Sequence, residues 1–486
     1  MESKQVLSIL NEIENSVPVQ SWNIEGIDIW PYVRFRLGSK LFERKLVEKG
    51  KRKFVERYLL GLFKYIPIFF KNILVAKMSP TCDYLFVENG THVSKHSNSY
   101  YYIRTDPVRE SLERKGKKCL TYVTGYKFDN PSFAPNIQIQ YSMDIQYLLT
   151  KLFRSREGVA KIEGYDYFEK FLKDRNLYDE DFSERNIQKG VERILFYKDF
   201  FKRRLLKLKP KAVFILCYYS TYGYGLVRAC KELKIPLIDI QHGIQGEYHY
   251  SYSGFEKVPK EGFNLLPDIF YVWGVEEENA ICSWKNEGIQ VFKGGNDYLN
   301  LWKESKNDFV KNTIQNIKKK YSLEKYSKII LFTVYPGIGH DKEIVKAIQN
   351  SPKDWFWFVR HHPKSDTRSE SIQQRIGDVE CGFVVDDIVS VPLFALIAVS
   401  DIHITERSSV VIECAEMGVQ SIVTKEESKD LFKSQFDEKM VLFSNDTDDI
   451  LRAILTSKRN IPKEWNKGSD IKKLIEIIDH IYAHHN

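Results

Sequence analysis

Two short polar motifs, each at the end of an apolar run, constrain this sequence more than any other feature. The first run begins at Trp355 and ends in Arg360-His361-His362-Pro363-Lys364-Ser365, and the second begins at Asp401 and ends in Thr405-Glu406-Arg407-Ser408-Ser409. Aromatic and β-branched runs that stop abruptly in polar groups are typical of buried parallel strands that leave a sheet. Ligands of open α/β sheets bind just beyond such carboxyl ends, so both motifs are candidate binding sites.

The side chains of the two motifs suit a phosphate group. Arg360, His362 and Lys364 supply cationic and imidazole donors. Ser408 and Ser409 stand where the next helix is expected to begin, and a helix N-terminus presents backbone amides to an anion. The serines would serve equally well as ordinary N-caps, which occupy the same position.

These residues also carry a family resemblance. The Arg-x-His-Pro element followed by Thr-x-x-Ser-Ser-x-x-x-Glu resembles bacterial capsule and cell-surface glycosyltransferases of the GT-B fold. These include His-Pro-motif sialyltransferases, capsular Kdo transferases and teichoic-acid CDP-glycerol transferases. The resemblance implies that His362, Ser408 and Ser409 hold the phosphate of a nucleotide donor, and that Glu413 contacts its ribose or base. It also implies that the loop containing Pro336 and Gly337 covers the donor phosphates.

The resemblance points to a catalytic base in the first half of the chain. His242, in Gln241-His242-Gly243, matches a His-Gly that is thought to be the base in CDP-glycerol transferases. An imidazole with a pKa near its usual value of about 6.5 can accept a proton from an acceptor hydroxyl. Asp239 and Glu247 are rivals, and so is Glu88, because sialyltransferases of this type use a carboxylate of the first domain. His242 could also be a simple turn residue.

Composition limits the number of domains, the partners and the cellular environment that this chain can have. The chain has 486 residues, which predicts two or three domains, and its hydrophobic content of 43% is sufficient for large cores. The net charge of +8 favours anionic partners such as nucleotides, acidic glycans or phospholipid surfaces, although a mildly basic surface would give the same value. No nucleic-acid motif is present. The seven cysteines are scattered without a C-x-x-C pair, which predicts free thiols and a reducing, cytoplasmic environment.

A basic and apolar segment precedes the first predicted strand. Residues 58–77 are interrupted by Lys64, Pro67 and Lys71, well short of the roughly 20 apolar residues of a membrane span. Such a segment fits the interface of the inner face of the cytoplasmic membrane, or it packs on the protein itself. The polar start of the chain predicts no signal peptide.

Alternation of strands and helices defines the expected architecture. We expect an α/β protein of the GT-B fold, in which two Rossmann-like domains face a cleft, with an N-terminal helical, membrane-associating extension. Apolar runs predict strands that start near 83, 118, 212, 235, 268, 289, 328, 355, 382, 401, 420 and 440. The expected division is an extension (1–80), an acceptor domain with a helical insertion (81–265), a nucleotide-sugar domain (266–460) and a helix that crosses back (461–486).

The sequence therefore predicts a glycosyltransferase that uses a nucleotide-sugar donor and a saccharide or lipid-linked saccharide acceptor. A CMP-activated acidic sugar, Kdo-like or sialic-like, is the first candidate for the donor. Its carboxylate and single phosphate suit the basic cluster formed by His361, His362 and Lys364. The alternatives are a CDP-glycerol-type transferase, a UDP-sugar transferase or epimerase, and a non-catalytic scaffold for glycan assembly. No metal site is expected, since Asp386-Asp387 is not an Asp-x-Asp motif, and no cofactor is expected.

Overall fold

The chain folds into two compact units, each built on one parallel sheet. A computed structural model describes residues 2–43, 81–96, 99–125, 136–153, 161–303, 307–334, 342–361, 369–386, 391–457, 459 and 469–485. The first unit comprises Met1–His92, Arg104–Gly294 and Ser469–Asn486, and the second comprises Val93–Ile103 and Gly295–Gly468. The chain therefore passes between the units more than once.

The strands and helices follow in chain order. The strands are β1 (Asn23–Ile24), β2 (Ile27–Asp28), β3 (Tyr84–Glu88), β4 (Val93–His96), β5 (Ser99–Tyr102), β6 (Cys119–Val123), β7 (Asn136–Gln138), β8 (Ala212–Ile215), β9 (Leu237–Ile240), β10 (Ile269–Val272), β11 (Gln290–Lys293), β12 (Lys328–Val334), β13 (Trp355–His361), β14 (Gly382–Asp386), β15 (Ile402–Thr405), β16 (Gln420–Val423) and β17 (Val441–Phe443). The helices are α1 (Ser3–Ser16), α2 (Trp30–Glu43), α3 (Asp106–Glu113), α4 (Gln140–Phe153), α5 (Tyr165–Asp174), α6 (Glu184–Leu208), α7 (Thr221–Leu233), α8 (Val275–Cys282), α9 (Asp297–Lys303), α10 (Asp308–Lys320), α11 (Lys342–Gln349), α12 (Ser369–Ile376), α13 (Leu393–Val399), α14 (Val410–Glu416), α15 (Ser428–Leu431), α16 (Lys433–Asp437), α17 (Thr447–Thr456) and α18 (Ile471–His485). Short 3₁₀ turns lie at Val19–Ser21, Glu180–Phe182 and Leu323–Lys325.

The larger sheet belongs to the first unit. Its strand order is β11-β10-β9-β8-β3-β6-β7, and every neighbouring pair is parallel. Strands β3, β8, β9 and β10 are buried along their whole length, because helices cover both faces of the sheet. This burial explains why these strands read as continuous apolar runs, and it confirms the strands predicted for this half.

The N-terminal helices are part of the core of the first unit. Helix α1 buries Val6, Leu10 and Ile13, a spacing that places them on one helical face. Helix α2 begins at Trp30, followed at once by a proline, which suits the first turn of a helix. The rings of Trp22 and Trp30 meet edge to face with centroids 5.9 Å apart.

A fully buried ion pair joins these two helices. Glu14 and Arg34 have no exposed side-chain surface, and Arg34 Nε lies 2.9 Å from Glu14 Oε1. Arg34 Nη2 also donates to the carbonyls of Ser253 (3.1 Å) and Gly254 (2.8 Å). Glu14 Oε2 accepts the backbone amide of Glu256 at 2.6 Å. The pair therefore anchors the loop near residue 254 to the N-terminal helices.

The second unit carries the other sheet. Its order is β14-β13-β12-β15-β16-β17, again entirely parallel. The hairpin β4–β5, although it comes from the first hundred residues, packs in this unit: Tyr101 joins a core cluster with Tyr298. His96 Nε2 lies 2.8 Å from the Tyr298 hydroxyl, and burial lowers the pKa of His96 to about 4.

The last helix belongs to the first unit. Ile471, Leu474 and Ile478 of α18 lie on one face and pack with Tyr84 and Ile238 of the sheet. The apolar segment at 58–77 falls outside the described residues, and so does the interfacial role predicted for it. None of the helices in the described ranges combines the length and apolarity that a membrane crossing requires.

The Glu14–Arg34 pair is the most sensitive point of the first unit. We expect Arg34→Met to destabilise that unit by about 3–5 kcal/mol, because it leaves a carboxylate buried without its counter-charge. Urea denaturation followed by tryptophan fluorescence measures the effect. Lys293→Met is the matched control, since the Lys293–Glu278 pair (3.1 Å) is largely exposed and its loss should cost less than about 1 kcal/mol. Equal midpoints for the two variants would contradict the prediction.

Candidate functional site

The strands that lead into the two sequence motifs end at one edge of the second sheet. Strands β13 and β15 flank β12 on opposite sides, and Thr333 of β12 is in register with Arg360 on one side and Thr405 on the other. All three strands are parallel, so their carboxyl ends share an edge. At the usual spacing between strands, the two motifs start about 10 Å apart.

Of the first motif, the structure describes Arg360 and His361. Arg360 is buried, and its Nη1 donates to the carbonyl of Val391 at 2.7 Å. His361 is partly buried, and neither ring nitrogen has a hydrogen-bond partner among the described residues. Burial lowers the pKa of His361, so its ring is neutral at pH 7. His361 therefore offers an uncommitted imidazole at the sheet edge.

Four of the predicted ligand residues lie outside the described residues. His362 and Lys364 follow β13, and Pro336 and Gly337 follow β12. Their roles remain predictions from the sequence.

The second motif forms a braced turn. Helix α14 begins at Val410 with Ser409 as its N-cap, as predicted, and Ser408 Oγ accepts the amide of Val410 at 3.3 Å. Arg407 pairs with Glu427, which holds the turn from one side. The N-cap serine has no side-chain capping bond. Glu413 is 2% exposed and lies one turn into this seven-residue helix.

A buried histidine, which sequence reasoning left without a role, supports this edge. The His403 ring bridges three strands, with Nε2 2.8 Å from Thr333 Oγ1 and Nδ1 2.9 Å from Ser421 Oγ. Burial lowers the pKa of His403 to about 3, so the ring stays neutral. Its position inside an apolar strand was the signal available in the sequence. His403 holds β15 in place between its neighbours.

The first sheet also collects polar groups at its carboxyl edge. Glu88 ends β3 and has no exposed surface. Its Oε1 accepts the Thr105 hydroxyl at 2.5 Å, while Oε2 has no hydrogen-bond partner within the described parts of the chain. Burial is the main reason that the pKa of Glu88 is raised to about 8. The carboxyl is therefore largely protonated at neutral pH.

His242 follows strand β9, which is separated from β3 by β8, and is partly exposed. Its Nε2 lies 3.1 Å from Cys217 Sγ and 3.2 Å from the Tyr219 hydroxyl. The His92 ring stands edge-on to it, with centroids 5.5 Å apart. An imidazole in contact with a thiol and a phenol at a sheet edge can exchange protons with a bound molecule.

The two other acids proposed as bases have different surroundings. Asp239 is buried, and both oxygens are occupied: Oδ1 accepts the amide of Tyr218 (3.0 Å) and Oδ2 the hydroxyl of Tyr252 (2.8 Å). Burial raises the pKa of Asp239 to about 7. Glu247 is exposed on the following loop, where its carbonyl accepts the Ser253 hydroxyl. Asp239 therefore braces the turn after β8.

Gln241 fixes the backbone on either side of His242, a role that sequence reasoning missed. Gln241 Nε2 donates to Glu277 Oε1 (3.0 Å) and to the carbonyl of Gly243 (2.9 Å), and its Oε1 accepts the amide of Trp273 (2.6 Å). A glutamine directly after a buried strand was the signal in the sequence. In the described parts of the chain, no group of three His, Cys, Asp or Glu side chains converges as metal ligands would.

Comparisons with known proteins identify the fold. No protein-family model matches the sequence, and no curated protein matches it. A UDP-N-acetylglucosamine 2-epimerase from Listeria monocytogenes superposes with a TM-score of 0.50 at 12% identity, covering 84% of this chain and 98% of that one. At this identity the similarity shows the fold alone, and it establishes a two-domain, GT-B-like α/β architecture, as predicted.

Two further structures are similar, with lower TM-scores. The UDP-GlcNAc 2-epimerase from Neisseria meningitidis, bound to UDP-GlcNAc, gives a TM-score of 0.45 at 16% identity over 83% of this chain and 94% of that one. A wall teichoic acid polymerase, TagF, soaked with CDPG gives 0.44 at 11% identity over 90% and 98%.

The raised pKa of Glu88 predicts a pH-dependent stability. The folded carboxyl keeps its proton up to about pH 8, whereas the unfolded one ionises near its ordinary value of 4.5. The stability that the protonated form contributes is therefore lost as the pH rises from about 4.5 to 8. Glu88→Gln should remove this loss. The melting temperature of the variant should therefore rise relative to that of the parent between pH 5 and 8, and the difference should stay constant above pH 8. Glu287→Gln, at an exposed acid of the same unit, should follow the parent throughout. Parallel curves for Glu88→Gln and the parent would contradict the prediction.

Proposed function

We propose that this protein is a metal-independent glycosyltransferase that moves a sugar from a nucleotide donor to a cell-surface glycan acceptor. The observation that carries the proposal is the edge of the second sheet. There the His361 imidazole, which has no hydrogen-bond partner among the described residues, and the Ser408-Ser409 turn stand on either side of β12. A diphosphate, or the single phosphate of a CMP-sugar, placed between them would accept hydrogen bonds from both sides.

The donor would bind to the second unit. Arg360, His362, Lys364, Ser408 and Ser409 would hold its phosphate. Glu413 would contact the ribose or base, and the loop with Pro336 and Gly337 would close over the nucleotide. When the glycosidic bond breaks, the leaving nucleotide keeps the bonding electron pair. In the absence of a bound divalent ion, these donors would stabilise the developing negative charge.

The acceptor would be activated by the first unit. Its hydroxyl oxygen forms the new bond to the sugar, and a base receives the hydroxyl proton. His242 is the first candidate for this base, since its ring is partly exposed at the sheet edge. Glu88 is the second: its buried carboxyl has an oxygen without a partner among the described residues, and it would accept a proton only in its ionised form, as the pH approaches about 8. Asp239 is a weaker candidate, because both of its oxygens accept protein hydrogen bonds.

A CMP-activated acidic sugar, Kdo-like or sialic-like, is the donor that best fits a basic cluster of this kind. The acceptor would be a saccharide or lipid-linked saccharide at the inner face of the cytoplasmic membrane. The net charge of +8 supports a peripheral association with an anionic surface.

UDP-sugar chemistry is the second candidate. The Listeria structure of the same fold is by name a UDP-N-acetylglucosamine 2-epimerase, which favours a UDP-sugar epimerase or transferase as the rival. A CDP-glycerol-type transferase and a catalytically silent assembly scaffold complete the alternatives. The nucleotide preference separates the three enzymes, and turnover separates all of them from the scaffold.

A thermal-shift panel with CMP, CDP, UDP and GDP, first without Mg²⁺ and then with it, tests the donor. A nucleotide at 100 times its dissociation constant should add about 2.7 kcal/mol of stability. We expect CMP to shift the melting temperature most and without metal. A preference for UDP or CDP would replace the CMP assignment with the corresponding rival. No shift with any nucleotide would contradict a donor site in this chain.

Variants at the two sheet edges separate binding from chemistry. His362→Ala and Ser409→Ala should weaken nucleotide binding, because each removes a hydrogen-bond donor to the phosphate. His242→Asn should leave nucleotide binding unchanged and lower kcat by about 10²–10⁴-fold, the usual contribution of a general base. His480→Ala, at an exposed histidine of α18, is the control. Full turnover by the His242 variant would transfer the role to Glu88, and a similar loss in the control would remove the assignment.

A further inference from the structure

Cys217 occupies an unusual position after strand β8. Its φ of +60° lies in the left-handed region, which non-glycine residues adopt uncommonly. The turn is held in place by the next residue, since Tyr218 donates its amide to the buried Asp239. Helix α7 then begins, with Ser220 accepting the amide of Gly223 at 3.0 Å. Cys217 is thus fixed at the sheet edge by its neighbours in the sequence.

The thiol of Cys217 lies against the imidazole of His242. Its Sγ is 3.1 Å from Nε2 and 3.7 Å from Nδ1. A neighbouring imidazole can accept the thiol proton and leave a thiolate, which is the nucleophilic form of cysteine. Cys217 is also partly exposed, whereas Cys82, Cys230 and Cys414 are buried.

Further polar and aromatic side chains surround this pair. The Tyr219 hydroxyl and the His92 ring contact the imidazole. Tyr222 connects the pair to Glu88: the pKa of Tyr222 is raised mainly by burial, and the charges of Cys217 and Glu88 both act on it. Glu88 Oε2, which is fully buried, accepts no hydrogen bond within the described parts of the chain. The Cys217 thiol and the Glu88 carboxyl therefore act on the same tyrosine.

We propose that Cys217 is a site of reversible thiol modification, and that small disulfides are its reactants. His242 accepts the thiol proton, and the Cys217 thiolate attacks one sulfur of the disulfide. A new S–S bond to Cys217 forms as the original S–S bond breaks. The leaving thiolate takes the proton from the His242 imidazolium and departs as a free thiol. Excess thiol reverses the exchange.

The modification would also control the site. An adduct on Cys217 lies within hydrogen-bond distance of the ring that the proposed function uses as a base, and it would block access to that ring. This consequence rests on the proposed function, whereas the thiol exchange itself does not.

Mass spectrometry of the full chain measures the exchange. The protein is incubated at pH 7 with oxidised glutathione, and the adduct on each cysteine peptide is followed with time. We expect Cys217 to react about tenfold or more faster than Cys282, although Cys282 is the more exposed of the two. His242→Asn should bring the Cys217 rate down to that of Cys282 or below it. Cys230 and Cys414, which are buried, should stay unreactive in the variant if its fold is intact. Dithiothreitol should remove the adduct.

Two results would overturn the inference. One is a Cys217 rate no higher than that of Cys282, and the other is a Cys217 rate that His242→Asn and the conservative His242→Gln both leave unchanged. If turnover with a nucleotide-sugar is found, the adduct should abolish it, and Cys217→Ser should make it insensitive to oxidised glutathione. If the adduct forms rapidly but no nucleotide binds, the proposed function fails and the modification site stands.

Discussion

The buried Glu14–Arg34 pair connects the start of the chain to the edge of the first sheet. Two charged side chains without solvent contact are tolerated only when their remaining donors and acceptors have hydrogen-bond partners. Here the loop around residue 254 supplies most of these partners, and the same loop presents Tyr252 to Asp239. Asp239 then holds the amide of Tyr218, next to Cys217. The position of the thiol–imidazole pair thus depends on Glu14 and Arg34, which come far earlier in the sequence.

The buried polar side chains of this protein fall into two groups, according to whether all of their polar atoms have hydrogen-bond partners. Asp239 and His403 are buried, and both polar atoms of each side chain are bonded to protein groups, so they brace the structure. Glu88 and His361 are buried or partly buried and keep polar atoms without a partner among the described residues. An uncommitted buried polar atom costs free energy unless a ligand or water completes it. That difference separates the groups proposed to act on a ligand from those that brace the structure.

The sequence predicted most of the sheets because each strand is buried on both faces and therefore reads as an apolar run. Trp355–His361 and Ile402–Thr405 are found where they were expected, and α14 starts beside Ser409. The sequence did not reveal that Arg34 faces Glu14 or that Gln241 clamps Gly243. These contacts depend on which loops meet in space, and neither charge pattern nor periodicity carries that information. The same limit applies to the thiol of Cys217, since its imidazole partner follows another strand.

The interleaved chain path has a consequence for biosynthesis. The first unit takes α18 from the last residues, and the second takes the hairpin β4–β5 from the first hundred. On the ribosome, neither unit can be completed as a continuous segment: the first unit waits for α18, while the hairpin waits for Tyr298. A fragment cut at Gly294, or one that spans only 295–468, would each lack part of its own core. Each unit therefore needs segments from distant parts of the chain to complete its core.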